Sequence, residues 1–157
     1  MVSATGWDQA EAQDIIDRLK TLAGATLPIL HALQERFGYV DHQAVPAIAK
    51  ATNLSQAEIH GVITFYHEFR HAPPGQSVIK LCRAEACQSM HCRDLEAHAQ
   101  RKLGIGWGET TADRRFTLEP VYCLGNCACS PAIMVDDELK GRLTPERFDA
   151  WLTAEKG

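Results

Sequence analysis

Residues 1–71 repeat apolar side chains at helical spacing, with polar and charged residues between them. Four such segments follow one another, and we expect the apolar residues of each to face a common core. These residues are Ile15, Ile16, Leu19 and Leu22 in the first segment, Leu30, Leu33 and Phe37 in the second, Val45, Ile48 and Ala49 in the third, and Ile59, Val62, Ile63, Tyr66 and Phe69 in the fourth. The pattern therefore predicts a compact module of four short helices.

Helix-capping residues mark the ends of these segments. We predict that the first helix ends at Gly24, that Thr26 caps the second, and that Asp41 begins the third. The run from Ser55 to Glu58 has the pattern of a capping box, in which each side chain accepts a hydrogen bond from the backbone of the other. The fourth helix should therefore start directly after Ser55.

The pattern changes after residues 71–75, where two prolines and a glycine cannot continue a helix. The predicted segments that follow are a strand at 78–81, a helix at 88–103, a strand at 116–122, a hairpin of 132–135 with 139–143, and a helix that Thr144 caps. Their β-α-β-β-α order is that of a small thioredoxin-like domain. The chain is thus predicted to be α+β, with an N-terminal four-helix module at 1–74 and a thioredoxin-like α/β domain at 75–157.

Pro120 lies inside the second predicted strand of this domain. Proline has no backbone N–H to donate across a sheet, so it is confined to edge strands or bulges. We therefore expect this strand to lie at an edge or to contain a bulge.

Composition excludes several classes of function. Apolar residues make up 45% of the chain and charged residues 23%, and the formal net charge of −4 offers no broad basic surface for nucleic acid. No apolar run approaches the roughly 20 residues of a membrane helix, so we expect no membrane insertion. Residues 1–12 lack the charged and apolar regions of a secretory signal. We expect a cytoplasmic protein.

All six cysteines lie between positions 82 and 129. In a reducing compartment, clustered cysteines are more often metal ligands or catalytic groups than disulfides. Cys82 and Cys87 form a C-x4-C pair, and Cys123 and Cys127 form a C-x3-C pair after a long interval. Each pair follows a predicted strand, so the fold can bring both pairs to one edge. Four thiolates suit either Zn²⁺ or an iron–sulfur cluster.

Spacing favours a [2Fe–2S] cluster over the alternatives but leaves zinc open. Zinc ribbons usually carry C-x2-C pairs separated by about 15–20 residues, and neither spacing occurs here. A thiol–disulfide enzyme would need C-x-x-C, which is also missing. Gly125 gives the second cysteine loop the freedom to approach a cluster closely.

Several other residues invite an interpretation. Cys92 and Cys129 are surplus to a four-thiolate site, and we expect both to be small buried apolar groups, with Cys92 one turn into the helix at 88–103. We expect Phe65 and Tyr66 to pack in the core of the helical module, with a contact to another subunit as the alternative. Trp107 either plugs a local gap or anchors an interface.

The two cysteine pairs, with the Pro131 that follows them, resemble the thioredoxin-like [2Fe–2S] subunit of respiratory complex I. The same family supplies subunits to NAD-dependent formate dehydrogenases and NAD-reducing hydrogenases. The resemblance extends to three segments of the helical half, 27–34, 37–40 and 60–67. In its sequence His-Gly-Val-Ile-Thr-Phe-Tyr-His, the segment 60–67 resembles the gamma subunit of cytoplasmic NAD-dependent formate dehydrogenase. His91 and Cys92 depart from the family pattern.

This resemblance implies that Cys82, Cys87, Cys123 and Cys127 hold a [2Fe–2S] cluster and that the chain has no catalytic residues of its own. It implies two partners, a flavoprotein subunit that binds FMN and NAD and a molybdenum-containing catalytic subunit. The cluster would exchange electrons with the FMN in a formate dehydrogenase complex. The alternatives are the equivalent subunit of an NAD-reducing hydrogenase or NADH:quinone oxidoreductase, and a zinc-stabilised interaction module.

Overall fold

Two compact units make up the chain in a computed structural model, and they meet in sequence between Pro74 and Gly75. The structure describes residues 6–155, so the first five and last two residues of the predicted domains lie outside the described residues. The first unit is built of helices and the second contains a sheet, which confirms the predicted α+β class. No helix among the described residues is long and apolar enough to cross a lipid bilayer.

Four α-helices form the first unit, as predicted. They are α1 (Gln9–Leu19), α2 (Thr26–Phe37), α3 (Val45–Thr52) and α4 (Gln56–Phe65). Their inward faces share one core, whose fully buried members include Ile16, Ile29, Leu30, Leu33, Ile48 and Ile59. The apolar periodicity of the sequence therefore corresponds to a shared buried surface, which is the main stabilising contribution for short helices.

The capping box of α4 is present in both directions. The Glu58 N–H donates to Ser55 Oγ at 3.2 Å, and the Ser55 N–H donates to Glu58 Oε2 at 2.8 Å. The hydrogen bond from the Ser55 backbone also lowers the pKa of the Glu58 carboxyl. Two backbone donors that the helix itself leaves unpaired are thus satisfied by local sequence.

The start of the first unit differs from the prediction in two places. Helix α1 ends at Leu19, five residues before Gly24, and Leu22 is 49% exposed beyond it. Thr26 lies inside α2, whose N-cap is Ala25 without a side-chain hydrogen bond. The cause is an intervening turn that passes through Gly24 in the left-handed region, so the helical spacing no longer applies there.

The prediction of core packing for Phe65 and Tyr66 is wrong. Phe65 is 73% exposed and Tyr66 is 43% exposed, whereas Ile59, Ile63 and Phe69 are buried. Helix α4 ends at Phe65, and Tyr66 has an extended backbone. Phe65 lies two residues after buried Ile63, on the opposite side of the helix, and Tyr66 lies where the helix has ended.

A four-stranded sheet forms the centre of the second unit. Its strands are β1 (Ser77–Cys82), β2 (Phe116–Val121), β3 (Ile133–Val135) and β4 (Glu138–Lys140), in the spatial order β2-β1-β3-β4. Strands β1 and β2 are parallel, and the remaining pairs are antiparallel. The edge position of β2 accommodates Pro120, as predicted. Asp136 and Asp137, both with positive φ, make the two-residue turn between β3 and β4.

The helices of this unit are α5 (Glu85–Ser89), α6 (Cys92–Leu103) and α7 (Pro145–Ala154). Leu95 of α6 and Phe148 of α7 are buried in one core with residues of the sheet. Thr144 caps α7 by accepting from the Arg147 N–H at 3.3 Å, as predicted. His98 and Asp149 form a hydrogen bond of 2.8 Å that joins α6 to α7.

The single helix predicted at 88–103 is two helices. Helix α5 ends at Ser89, and His91 has a φ of 64°, in the left-handed region that interrupts a helix. Cys92 is consequently the first residue of α6 rather than a residue one turn inside it. The interruption reorients the chain between Cys87 and Cys92.

Three histidine rings of the first unit lie close together. The rings of His42 and His71 stack with centroids 5.3 Å apart, and the His60 ring lies 6.0 Å from that of His42. Partial burial lowers the pKa of His71, and the neighbouring His42 and His60 lower it further. Each positive ring disfavours another beside it.

Replacing Phe148 by alanine should lower the free energy of unfolding by about 3–5 kcal/mol, because the side chain is fully buried. The same substitution at exposed Phe65 should change it by no more than about 0.5 kcal/mol. Urea titrations followed by circular dichroism measure both effects. Equal losses in the two variants would contradict the assignment of Phe148 to the core.

Acidification should destabilise the wild-type chain more than an H71Q variant. The lowered pKa of His71 means that the unfolded chain binds a proton more readily than the folded one. Its contribution to stability is therefore complete above about pH 6.5 and is lost as pH falls through the folded-state pKa. Urea midpoints measured across this range in both proteins test the sign. A wild-type midpoint that fell no more than that of the variant would contradict it.

Candidate metal centre

The parallel pairing of β1 and β2 brings the two cysteine loops to the same edge of the sheet. Cys82 is the last residue of β1 and lies opposite Val121, the last residue of β2. The Arg83 N–H donates to the Val121 carbonyl at 2.7 Å, which continues the pairing past the strand ends. Cys123 follows two residues after Val121. The predicted meeting of the two loops is therefore confirmed, although Cys82 belongs to the strand rather than to a loop.

Three thiols from the segment 82–92 form one buried group. Cys82 and Cys87 are 3% exposed, and Cys92 is fully buried beside them. Leu124 from the second loop packs against this group. The expectation that Cys92 is a small buried group is met.

The second loop leaves its thiols more open. Cys123 and Cys127 are exposed. Cys129 is partly exposed, so the expectation that it is a buried apolar group is wrong. Gly125 has a φ of 72°, and its N–H donates to Cys123 Sγ at 3.3 Å. The glycine thus permits the turn and directs a backbone donor at a sulfur atom, as a metal-bound thiolate requires.

Ser130 connects the two cysteine pairs. The Cys87 thiol donates to Ser130 Oγ at 3.6 Å, and Ser130 Oγ donates to the Cys127 carbonyl at 2.8 Å. A side chain that is itself buried therefore links a ligand candidate of each loop. Sequence analysis missed Ser130, for which its position near Cys127 was the only signal.

The electrostatics of the cysteine pairs favour neutral thiols until a cation is present. Burial raises the pKa of the Cys82 thiol, and the adjacent Cys87 adds to the rise, while backbone N–H groups of Ala84 and Leu124 oppose it. The pKa of the Cys127 thiol is raised chiefly by Cys123. Adjacent thiolates repel each other, so a positively charged group between them would lower the free-energy cost of ionising both thiols.

Across residues 6–155, no three His, Cys, Asp or Glu side chains form a metal site as they stand. The two cysteine pairs would have to close around a bound group. Their chemistry suits an iron–sulfur cluster, since they offer four soft sulfur donors with backbone N–H groups aimed at sulfur. Cys82 ends β1 and Cys87 lies in α5, whereas Cys123 and Cys127 follow β2, so the paired strand ends fix where each cysteine pair begins.

Arg83, Glu96 and Trp107 form a second feature that sequence analysis did not identify. Arg83 Nε donates to Glu96 Oε2 at 3.0 Å, and Trp107 Nε1 donates to Glu96 Oε1 at 3.2 Å. The Arg83 guanidinium lies over the Trp107 ring, 5.2 Å from its centroid. Trp107 therefore acts as a local plug, one of its two predicted roles.

Comparison with known proteins shows related sequences among respiratory-enzyme subunits. The chain is 38% identical over 122 residues to the E subunit of the NADH-quinone oxidoreductase of Pseudomonas aeruginosa, covering 78% of this chain and 74% of the relative. It is 37% identical over 132 residues to the corresponding protein of the same name from Escherichia coli K12, covering 84% of this chain and 80% of the relative.

A solved structure of an NAD⁺-reducing [NiFe]-hydrogenase in the air-oxidized state is similar in fold. The match has a TM-score of 0.68 at 27% identity and covers 87% of this chain. This chain spans only 23% of the hydrogenase chain.

The sequence model of the thioredoxin-like [2Fe–2S] ferredoxin family matches residues 12–156, so it covers both units. The family is defined by its cluster, and the cofactor of this chain is therefore a [2Fe–2S] cluster. The chain belongs to the thioredoxin-like [2Fe–2S] ferredoxin family of electron-transfer proteins.

Proposed function

We propose that the chain is the electron-transfer subunit of a cytoplasmic NAD-dependent formate dehydrogenase and that Cys82, Cys87, Cys123 and Cys127 hold its cluster. The observation that carries the proposal is the meeting of two cysteine loops at one edge of the sheet. When bound, the cluster supplies one-electron transfer. Cys92 and Cys129 are not among the proposed ligands, because the C-x4-C pair and the C-x3-C pair formed by the other four cysteines already match the family pattern.

The protein contributes an asymmetric environment to this site. Cys82 and Cys87 are buried, whereas Cys123 and Cys127 are exposed, so one side of a bound cluster would face the surface. Electron transfer to a partner needs such an approach, and the buried side keeps water from half of the site. Backbone donors at Ala84, Leu124 and Gly125 would stabilise the sulfur atoms and raise the reduction potential.

The proposed partners are a flavoprotein subunit with FMN and NAD and a catalytic subunit with molybdenum. The names of the relatives support an oxidoreductase complex that uses NAD. The segment from His60 to His67 supports formate dehydrogenase within that group. We propose residues 1–74 and 75–157 as the two domains. The exposed Phe65 and Tyr66 lie within the segment that resembles the formate dehydrogenase subunit.

A second candidate is the equivalent subunit of an NADH:quinone oxidoreductase or an NAD-reducing hydrogenase. The identities of 38% and 37% to the two NADH-quinone oxidoreductase relatives and the fold of the hydrogenase favour it. Both candidates share the same cluster and a flavoprotein partner, so they differ only in the catalytic subunit that accepts or donates the electrons.

Serine substitution of each proposed ligand should abolish or strongly alter the cluster. The wild-type chain, purified anaerobically, should contain about two irons and give a rhombic EPR signal after reduction with dithionite. Variants at Cys82, Cys87, Cys123 and Cys127 should lose most of the iron, because a hydroxyl is a harder and weaker ligand than a thiolate. Iron analysis and EPR provide the measurement.

Serine variants at Cys92 and Cys129 are the matched controls and should retain both iron and signal. Loss of the cluster in either control would overturn the proposed ligand set. Stoichiometric zinc without an EPR signal in the wild-type chain would overturn the electron-transfer function itself.

Affinity purification of the tagged chain from its native host should recover a flavoprotein and a molybdenum-containing subunit, and the complex should reduce NAD⁺ with formate. The expected result follows from a subunit that links a flavin to a formate-oxidising centre. Recovery of a nickel-containing subunit or of membrane-bound quinone reductase components would contradict formate dehydrogenase and support the second candidate.

A further inference from the structure

Two opposite charges are held beside the first cysteine loop by interactions that fix their positions. Arg83 follows Cys82 directly, and its guanidinium is fixed by Glu96 at 3.0 Å and by the ring of Trp107. Trp107 also donates to the same carboxylate through its indole N–H at 3.2 Å. The Arg83 side chain is 34% exposed and that of Glu96 is 16% exposed, so water screens the charges only in part.

The backbone of Arg83 is fixed as firmly as its side chain. Its N–H donates to the Val121 carbonyl at 2.7 Å, and its carbonyl accepts from Gln88 Nε2 at 2.9 Å. The residue therefore connects the ends of β1 and β2 with α5. The backbone of Arg83 therefore cannot move away from Cys82 without breaking these contacts.

Stability alone is a weak reason for this arrangement. An ion pair that is largely covered must offset the desolvation of both charges, and apolar residues of the same size often stabilise such a position as well or better. A fixed cation beside a redox centre has a different consequence. Reduction adds one negative charge to the centre, so a nearby cation favours the reduced state and a nearby carboxylate disfavours it.

We propose that Arg83 and Glu96 are an opposed pair of positioning residues that sets the reduction potential of the [2Fe–2S] cluster, with Trp107 fixing their geometry. The inference rests on the proposed function, in particular on Cys82 as a ligand. Arg83 raises the reduction potential and Glu96 lowers it. The two effects largely cancel in the wild-type chain, and each becomes visible when the other charge is removed.

The test is a redox titration of the cluster-loaded full chain, followed by EPR, for R83Q, E96Q and the double variant. R83Q should have a lower midpoint potential than the wild type, and E96Q a higher one. The double variant should return towards the wild-type value, because both charges are removed. R83K, which keeps the charge, should remain close to the wild type.

K102Q is the matched control. Lys102 lies on α6 like Glu96, but at the far end of the helix, where it pairs with Asp149 at 3.0 Å. The substitution changes the net charge by the same amount as R83Q and should leave the midpoint potential unchanged. If the Arg83–Glu96 contact had a purely structural role, R83Q and E96Q would shift the midpoint potential in the same direction, because each breaks that contact.

Shifts of equal sign in the two single variants, or no shift in either at full iron content, would overturn the inference and leave the proposed function intact. A wild-type chain without a cluster would overturn both. If R83Q fails to retain iron, E96Q and R83K still decide the outcome, since an E96Q potential at or below that of the wild type contradicts the proposal.

Discussion

The parallel pairing of β1 with β2 is the constraint on which the candidate site depends. Parallel strands end at the same edge of a sheet, and here the register sets Cys82 opposite Val121. Two cysteine pairs separated by 35 residues thus begin from neighbouring positions. Helix α6 makes the crossover between the strands and packs Leu95 into the core, so the pairing is maintained by burial of apolar side chains as well as by backbone hydrogen bonds.

The two cysteine pairs of the candidate site differ in their exposure to solvent. Cys82 and Cys87 lie in an apolar group, where burial disfavours the thiolate form, whereas Cys123 and Cys127 lie in an exposed loop. A cationic cluster core between the pairs would offset part of the negative charge of their thiolates. Ser130 joins the pairs through hydrogen bonds, because its buried hydroxyl contacts both the Cys87 thiol and the Cys127 carbonyl.

The helical unit is stabilised by a shared apolar core and by local capping. Its four helices share one apolar core, and local caps satisfy several of the backbone groups at their ends. Phe65 lies on the side of α4 opposite buried Ile63, and Tyr66 follows the end of the helix, so neither joins this core. The cluster of His42, His60 and His71 lies on the same unit, where partial burial and then the two neighbouring imidazoles lower the pKa of His71.

The sequence by itself determined the four helices, the α+β class, the edge position of β2 and the presence of two cysteine pairs at strand ends. These features depend on periodicity, capping and proline chemistry, which act within a few residues. Only the tertiary structure decided the break at His91, the exposure of Phe65, the link through Ser130 and the contact of Arg83 with Glu96. For the contacts of Ser130 and Arg83 the physical reason is distance along the chain: the Cys87–Ser130 contact joins residues 43 positions apart, and no local pattern encodes which side chains meet when separate elements pack.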